Sequence, residues 1–205
     1  MKRLIFAIAT AAVLWFVMFS PWTAPRVDFW QMMCGSALIL TSLATLFGLS
    51  WWKKIHLSAR EVGLGVAIAV VLWGVFWVGD KAATWLFDFA RPQVDSIYGI
   101  KEGISPWLLS LLLLLLIGPA EEIFWRGYVQ QRLCKQWGED RAFLIATALY
   151  TLVHIPSGNF MLVMASMVCG VIWGGLYRLF PERFTAIVIS HAVWDAAVFV
   201  WFPIL

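Results

Sequence analysis

The sequence predicts an all-α, polytopic transmembrane helix bundle of about seven spans, and three observations carry that prediction. Of the 205 residues, 62% are hydrophobic and 13% charged, whereas soluble domains are about 45–50% apolar and about 25% charged. Apolar runs recur between charged or Pro/Gly-rich breaks. Their length approaches the roughly 20 residues that cross a hydrocarbon core of about 30 Å at 1.5 Å rise each. Many of the fourteen Trp residues lie near the ends of these runs, where amphipathic rings suit a membrane–water interface.

Taken in order, the first run, Leu4 to Ser20, follows a Met-Lys-Arg start. It lacks a convincing small-x-small cleavage site before Pro21, so it reads as a retained first helix rather than a signal peptide. The next two run from Phe29 to Leu49 and from Val62 to Val78. The fourth, Pro106 to Arg132, exceeds what a hydrocarbon core needs and is expected to tilt or to leave the membrane as an amphipathic end. The fifth, Ala142 to Ile155, is short; Phe160 to Tyr177 and Phe184 to Phe202 complete the set. Gly79 to Ser105 is the only long connection, and its Trp85, Leu86 and Phe89 either lie at the interface or extend the third span. With no internal repeat, residues 1–205 read as one transmembrane domain with its motif-bearing helices within 106–200.

Charge placement orients this bundle. Eleven basic residues (Lys2, Arg3, Lys53, Lys54, Arg60, Arg126, Arg132, Lys135, Arg141, Arg178 and Arg183) fall on one side, against Arg26, Lys81, Arg91 and Lys101 on the other. The positive-inside rule then places the N-terminus in the cytoplasm and the C-terminus outside. The net charge of +3 is dispersed, with no basic stretch beyond two adjacent residues, which excludes nucleic acid as a partner and leaves the lipid bilayer. Cys34, Cys134 and Cys169 have no CxxC spacing and read as packing residues.

An ionisable side chain at the bilayer centre costs at least about 2.5–3.5 kcal/mol, so such residues face a bundle interior and mark function. Here Glu121, Glu122 and Arg126 follow the apolar run of the fourth span, His154 ends the fifth, and His191 and Asp195 lie in the seventh. At 1.5 Å per residue, Glu121 is about 16 Å from Arg132 and His154 about 20 Å from Arg141, while His191 and Asp195 are about 12 and 18 Å from Arg183. Three helices therefore carry polar residues to one layer. Positions i and i+4 share a helix face, so His191 and Asp195 point together and Glu122 can pair with Arg126. Glu121 is turned about 100° from Glu122 and is left to face a site.

Glu121-Glu122-Ile-Phe-Trp-Arg126-Gly127, Tyr150-Thr-Leu-Val-His154 and His191-Ala-Val-Trp-Asp195, in that order on apolar helices, resemble the CAAX protease and bacteriocin-processing (CPBP, or Abi) family of intramembrane proteases. The likeness covers roughly residues 106–200. Trp125 stands where the family usually has Phe, Tyr150 replaces the commoner Phe, and Asp195 takes a position often held by Asn. Asn can donate a hydrogen bond to an oxyanion, whereas Asp does so only when protonated, so Asp195 is either an orienter of His191 or a metal ligand.

The resemblance implies an intramembrane endopeptidase that hydrolyses a peptide bond with activated water. Glu121 would be the general base, His154 would hold and polarise the water, and His191 would donate to the oxyanion with Asp195 one turn away. Glu122 and Arg126 would support the site. A protein or peptide substrate is expected: a prenylated C-terminal peptide, a bacteriocin leader and a C-terminal membrane anchor all fit. No cofactor is required by this reading, although His154, His191 and either Glu121 or Asp195 also make a three-ligand set of the kind that holds catalytic zinc. The alternatives are that metal-dependent protease and a noncatalytic transport or immunity protein, since midplane Glu, His and Asp also build transporter relays.

Overall fold

Helix is the only regular structure among the described residues, 1–204, of a computed structural model; Leu205 lies outside them. In hydrocarbon every backbone N–H and C=O needs an internal partner, which a helix supplies along its whole length. The eight helices are α1 (Lys2–Phe19), α2 (Phe29–Leu46), α3 (Ala59–Leu86), α4 (Ala90–Gly99), α5 (Pro106–Trp137), α6 (Glu139–Leu152), α7 (Phe160–Leu179) and α8 (Pro181–Trp201). Six of these, α1, α2, α3, α5, α7 and α8, are long and apolar enough to cross a membrane. The protein is an integral, multi-pass membrane protein.

Local chemistry sets several helix starts. Asp28 accepts a hydrogen bond from the Gln31 N–H at 2.8 Å, Ser58 from Glu61 at 3.2 Å and Asn159 from Leu162 at 2.9 Å. Each satisfies a backbone donor that the first turn leaves without a partner. Between α5 and α6 the chain reverses at Gly138, whose φ of 78° suits a residue with no Cβ.

Two expected boundaries shift. The apolar run expected as the third span ends at Val78, but α3 runs on to Leu86 because the intervening Gly-Asp-Lys-Ala-Ala contains no proline to stop it. Trp85 and Leu86 therefore extend that helix, and Phe89 immediately precedes α4. The fifth segment forms a helix of only 14 residues, Glu139–Leu152, followed by a turn over Ile155–Ser157. It lies antiparallel along α7: Arg178 pairs with Asp140 at one end, and Thr147 donates to the Gly170 carbonyl at 3.2 Å farther along. Short as it is, α6 carries His154 deep into the bundle, where that residue is 7% exposed.

The fourth segment is one helical rod of 32 residues, but its winding changes. α-Helical turns alternate with π-helical stretches at Leu113–Ile117 and Ile123–Gln130. The wider i→i+5 winding is rare and recurs at functional sites. Here it flanks the short α-helical piece Gly118–Glu122 that carries both glutamates. At Gly118 an added Cβ would sit 2.7 Å from Ala192 Cα, so the missing side chain lets the backbones of α5 and α8 meet. A Cβ at Gly65 would likewise fall 2.9 Å from the Ala186 carbonyl, which brings α3 against α8. α8 is the most enclosed span, while Ile5, Phe6, Val70 and Val71 of α1 and α3 face outward.

Basic residues gather at one end of the bundle. There Lys54 donates to the Tyr177 hydroxyl at 3.0 Å, Arg183 pairs with Glu61 at 2.7 Å and Arg132 donates to the Phe47 carbonyl. Asp80, Arg91 and Lys101 mark the opposite end, with Lys101 donating to the Phe199 carbonyl at 2.8 Å. With ten of fifteen basic residues at the Lys54 end, Arg126 being buried beside Glu122, a reporter inserted near Lys53 is expected to read as cytoplasmic and one fused after Leu205 as non-cytoplasmic. Both reporters on one side of the membrane would refute this topology.

Candidate active site

The close approach at Gly118 sets the site. It places Glu122, on α5, against His191, on α8: the His191 Nδ1–H donates to Glu122 Oε1 at 2.7 Å. The same oxygen accepts from Arg126 at 2.8 Å, one turn along α5. A carboxylate only accepts hydrogen bonds, so this contact assigns the His191 proton to Nδ1 and turns Nε2 towards Asp195 Oδ2, 3.5 Å away. The imidazole stacks on Trp173 of α7, ring centroids 3.8 Å apart. Trp173 is held in turn by its indole N–H, which donates to Ser190 Oγ at 3.0 Å.

Arg126 is enclosed as fully as its partner. Its guanidinium lies 4.7 Å from the Tyr150 ring centre and 5.7 Å from that of Trp173, and it donates to the Cys169 carbonyl at 3.4 Å. One further turn on, buried Gln130 donates to the Gly174 carbonyl at 2.8 Å, tying α5 to α7 again. Glu122 Oε2 has no hydrogen-bond partner among the described residues.

Glu121 has different surroundings. Its Oε2 accepts from the Tyr150 hydroxyl at 3.0 Å. Together with His154, His191 and Asp195 it lines a cavity of about 620 Å³ that Glu122 and Arg126 do not reach. The cavity is otherwise walled mainly by apolar side chains, including Phe19, Phe76, Met161 and Trp194. Exposure follows the same division: Glu122 is 0% exposed and Glu121 8%.

His154 is held at both ring nitrogens. Nδ1 donates to the Tyr150 carbonyl at 2.8 Å, and Nε2 accepts from the indole N–H of Trp15 at 3.2 Å. The two rings meet edge to face. No group of three His, Cys, Asp or Glu side chains is arranged to hold a metal ion among the described residues. In this arrangement the two His154 nitrogens face a carbonyl and an indole N–H.

All six residues singled out by their positions thus lie in one cluster, four on the cavity wall and two behind it. Sequence reading missed Trp15, Trp173, Gln130 and Asp80. Gln130 carried a signal, being polar and one turn from Arg126. Asp80, which also lines the cavity, lies in α3, past the apolar run that marks the third span in the sequence. Trp15 and Trp173 carried none, since each is one more aromatic residue in an apolar run. The cysteines are free, with Cys169 buried and Cys34 and Cys134 half-buried.

Comparison with curated proteins and with solved structures found no match. Against protein families, residues 103–197, just under half of the chain but the part that holds Glu121, Glu122, Arg126, His154, His191 and Asp195, match the model described as Type II CAAX prenyl endopeptidase Rce1-like, and this segment is similar to that family of membrane proteases.

Proposed function

We propose that the protein is an intramembrane endopeptidase in which Glu121 activates a water to hydrolyse a peptide bond of a membrane-associated or lipidated protein or peptide. The single observation that carries this reading is the separation of the two glutamates. Glu122 is committed to Arg126 and His191, whereas Glu121 stands on the cavity wall with one bond, from Tyr150. A carboxylate that has cavity space beside it and is held by one neutral hydroxyl can take a proton from water and return it to the leaving amine. His191, with Nε2 on the cavity side, is suited to interact with the developing oxyanion once protonated there, and Asp195 Oδ2 orients that edge of the ring. The largely apolar wall fits a hydrophobic or lipid-bearing segment beside the scissile bond.

The part assigned to His154 is to hold the water, and this requires a change at Trp15. In the present arrangement the indole N–H occupies Nε2, the nitrogen whose lone pair would accept from water. We therefore assign Trp15 as a stand-in for that water, displaced when water and substrate enter.

Three outcomes test these roles. Mass spectrometry of peptides released in membranes should show site-specific cleavage by the wild-type chain and a loss of at least about 100-fold for Glu121→Gln, the scale of general acid–base catalysis. Glu121→Gln should stay folded, whereas Glu122→Gln should lower stability by about 3–5 kcal/mol, because it leaves Arg126 buried without its charge partner. Wild-type turnover by Glu121→Gln would overturn the general-base role, and absence of any cleaved peptide from the wild-type chain would favour a noncatalytic transport or immunity protein.

Trp15→Phe keeps the aromatic packing but removes the N–H, so kcat should stay at or above the wild-type value. A fall of about tenfold, equivalent to 1.4 kcal/mol in the barrier, would show that the indole orients His154 instead. Activity should also persist after prolonged chelation by phenanthroline, with substoichiometric metal by elemental analysis. Loss of activity that added zinc restores, with about one equivalent bound, would establish the metal-dependent chemistry of a three-ligand open site.

A further inference from the structure

At the basic end of the bundle, far along α5 from the glutamates, a second cavity of about 390 Å³ lies where the start of α1, the end of α2 and the last turns of α5 converge. Lys2, Arg3, Phe47, Tyr128, Arg132 and Gln136 line it, and no acidic side chain does. Arg126, Arg178 and Arg183 all face carboxylates. Lys2, Arg3 and Arg132 have no ion pair among the described residues.

Their positions are nevertheless set. Arg132 is half-buried, donates to the Phe47 carbonyl at the end of α2 and lies 5.6 Å from the Tyr128 ring centre. Arg3 lies 5.8 Å from the ring centre of Phe47. Two guanidinium groups are thus held by aromatic faces and a carbonyl, contacts that orient them without neutralising them. An uncompensated, preoriented pair of arginines with a lysine beside it matches a phosphate ester, whose oxygens accept the forked N–H groups of Arg.

We propose that this cavity binds the phosphate of an anionic phospholipid headgroup. A lipid is favoured over free phosphate by what borders the cavity. Ile5 and Phe6 on α1 are 58% and 57% exposed and Leu46 on α2 is 75% exposed, so apolar surface for acyl chains begins within one turn of the basic groups. Basic pockets between transmembrane helices at an interface bind anionic headgroups in this way.

The test is thermal unfolding of the purified full chain in detergent, titrated with phosphatidylglycerol, with phosphatidylcholine of the same acyl chains, or with inorganic phosphate. Phosphatidylglycerol should raise the unfolding temperature saturably and the other two should not. Arg3→Gln should weaken the apparent affinity for phosphatidylglycerol about fivefold, the factor that about 1 kcal/mol per basic residue corresponds to, and Arg3→Gln with Arg132→Gln correspondingly more. Should the double variant fail to fold, Lys2→Gln with Arg3→Gln, both exposed positions, serves in its place. Equal stabilisation by the two lipids, or an unchanged response in the variants, would overturn the proposal. An equal response to inorganic phosphate would make the cavity a free-anion site and overturn the lipid assignment.

Discussion

A carboxylate with no exposed surface, Glu122, is the point on which the rest of the polar centre depends. Burying a charge in an apolar bundle is costly unless it is both paired and hydrogen-bonded. Glu122 meets that condition through one oxygen, which takes Arg126 from its own helix and His191 from α8. Arg126 in turn occupies the space between Tyr150 on α6 and Trp173 on α7, so a single ion pair ties four helices together. The same bond fixes which His191 nitrogen is protonated and therefore which edge faces the cavity. None of this would form without Gly118, since any side chain there would push α8 away from the glutamates.

Glu122 being committed to structure is what gives Glu121 its distinct surroundings. Two adjacent carboxylates on one helix cannot point the same way, and with one of them turned into the packed side the other is directed to the cavity. Tyr150 then joins the two environments: its hydroxyl donates to Glu121 while its ring lies against Arg126. The aromatic residue four positions before His154 is thus part of the site, and its carbonyl also holds His154 Nδ1.

The helices outside the Rce1-like segment complete the site rather than merely surround it. α1 supplies Trp15, which occupies His154 Nε2, and Phe19, which packs on the same imidazole. α3 supplies Phe76 and Asp80 to the cavity wall and packs parallel to α8 along a face opened by Gly65. About half of the residues lining the cavity therefore come from outside the Rce1-like segment.

How much of this could be read from the amino acids alone differs by the range of the interaction. The helical class, the apolar runs, the common depth of Glu121, His154, His191 and Asp195, and the i,i+4 approach of Arg126 to Glu122 follow from composition and helical period, which act within a few residues. The end of α3 is left open by the sequence because charged Asp80 and Lys81 resemble a span boundary, yet charges alone do not stop a helix. The π-helical winding of α5, the meeting of α5 and α8 at Gly118, and the Trp15 and Trp173 contacts with the two histidines were decided only in tertiary structure. They join residues far apart in the chain, Trp15 and His154 by 139 positions, and their partners are chosen by the packing of whole helices. A tryptophan in an apolar run has the same local character whether it faces lipid or an imidazole, so only the assembled bundle tells the two apart.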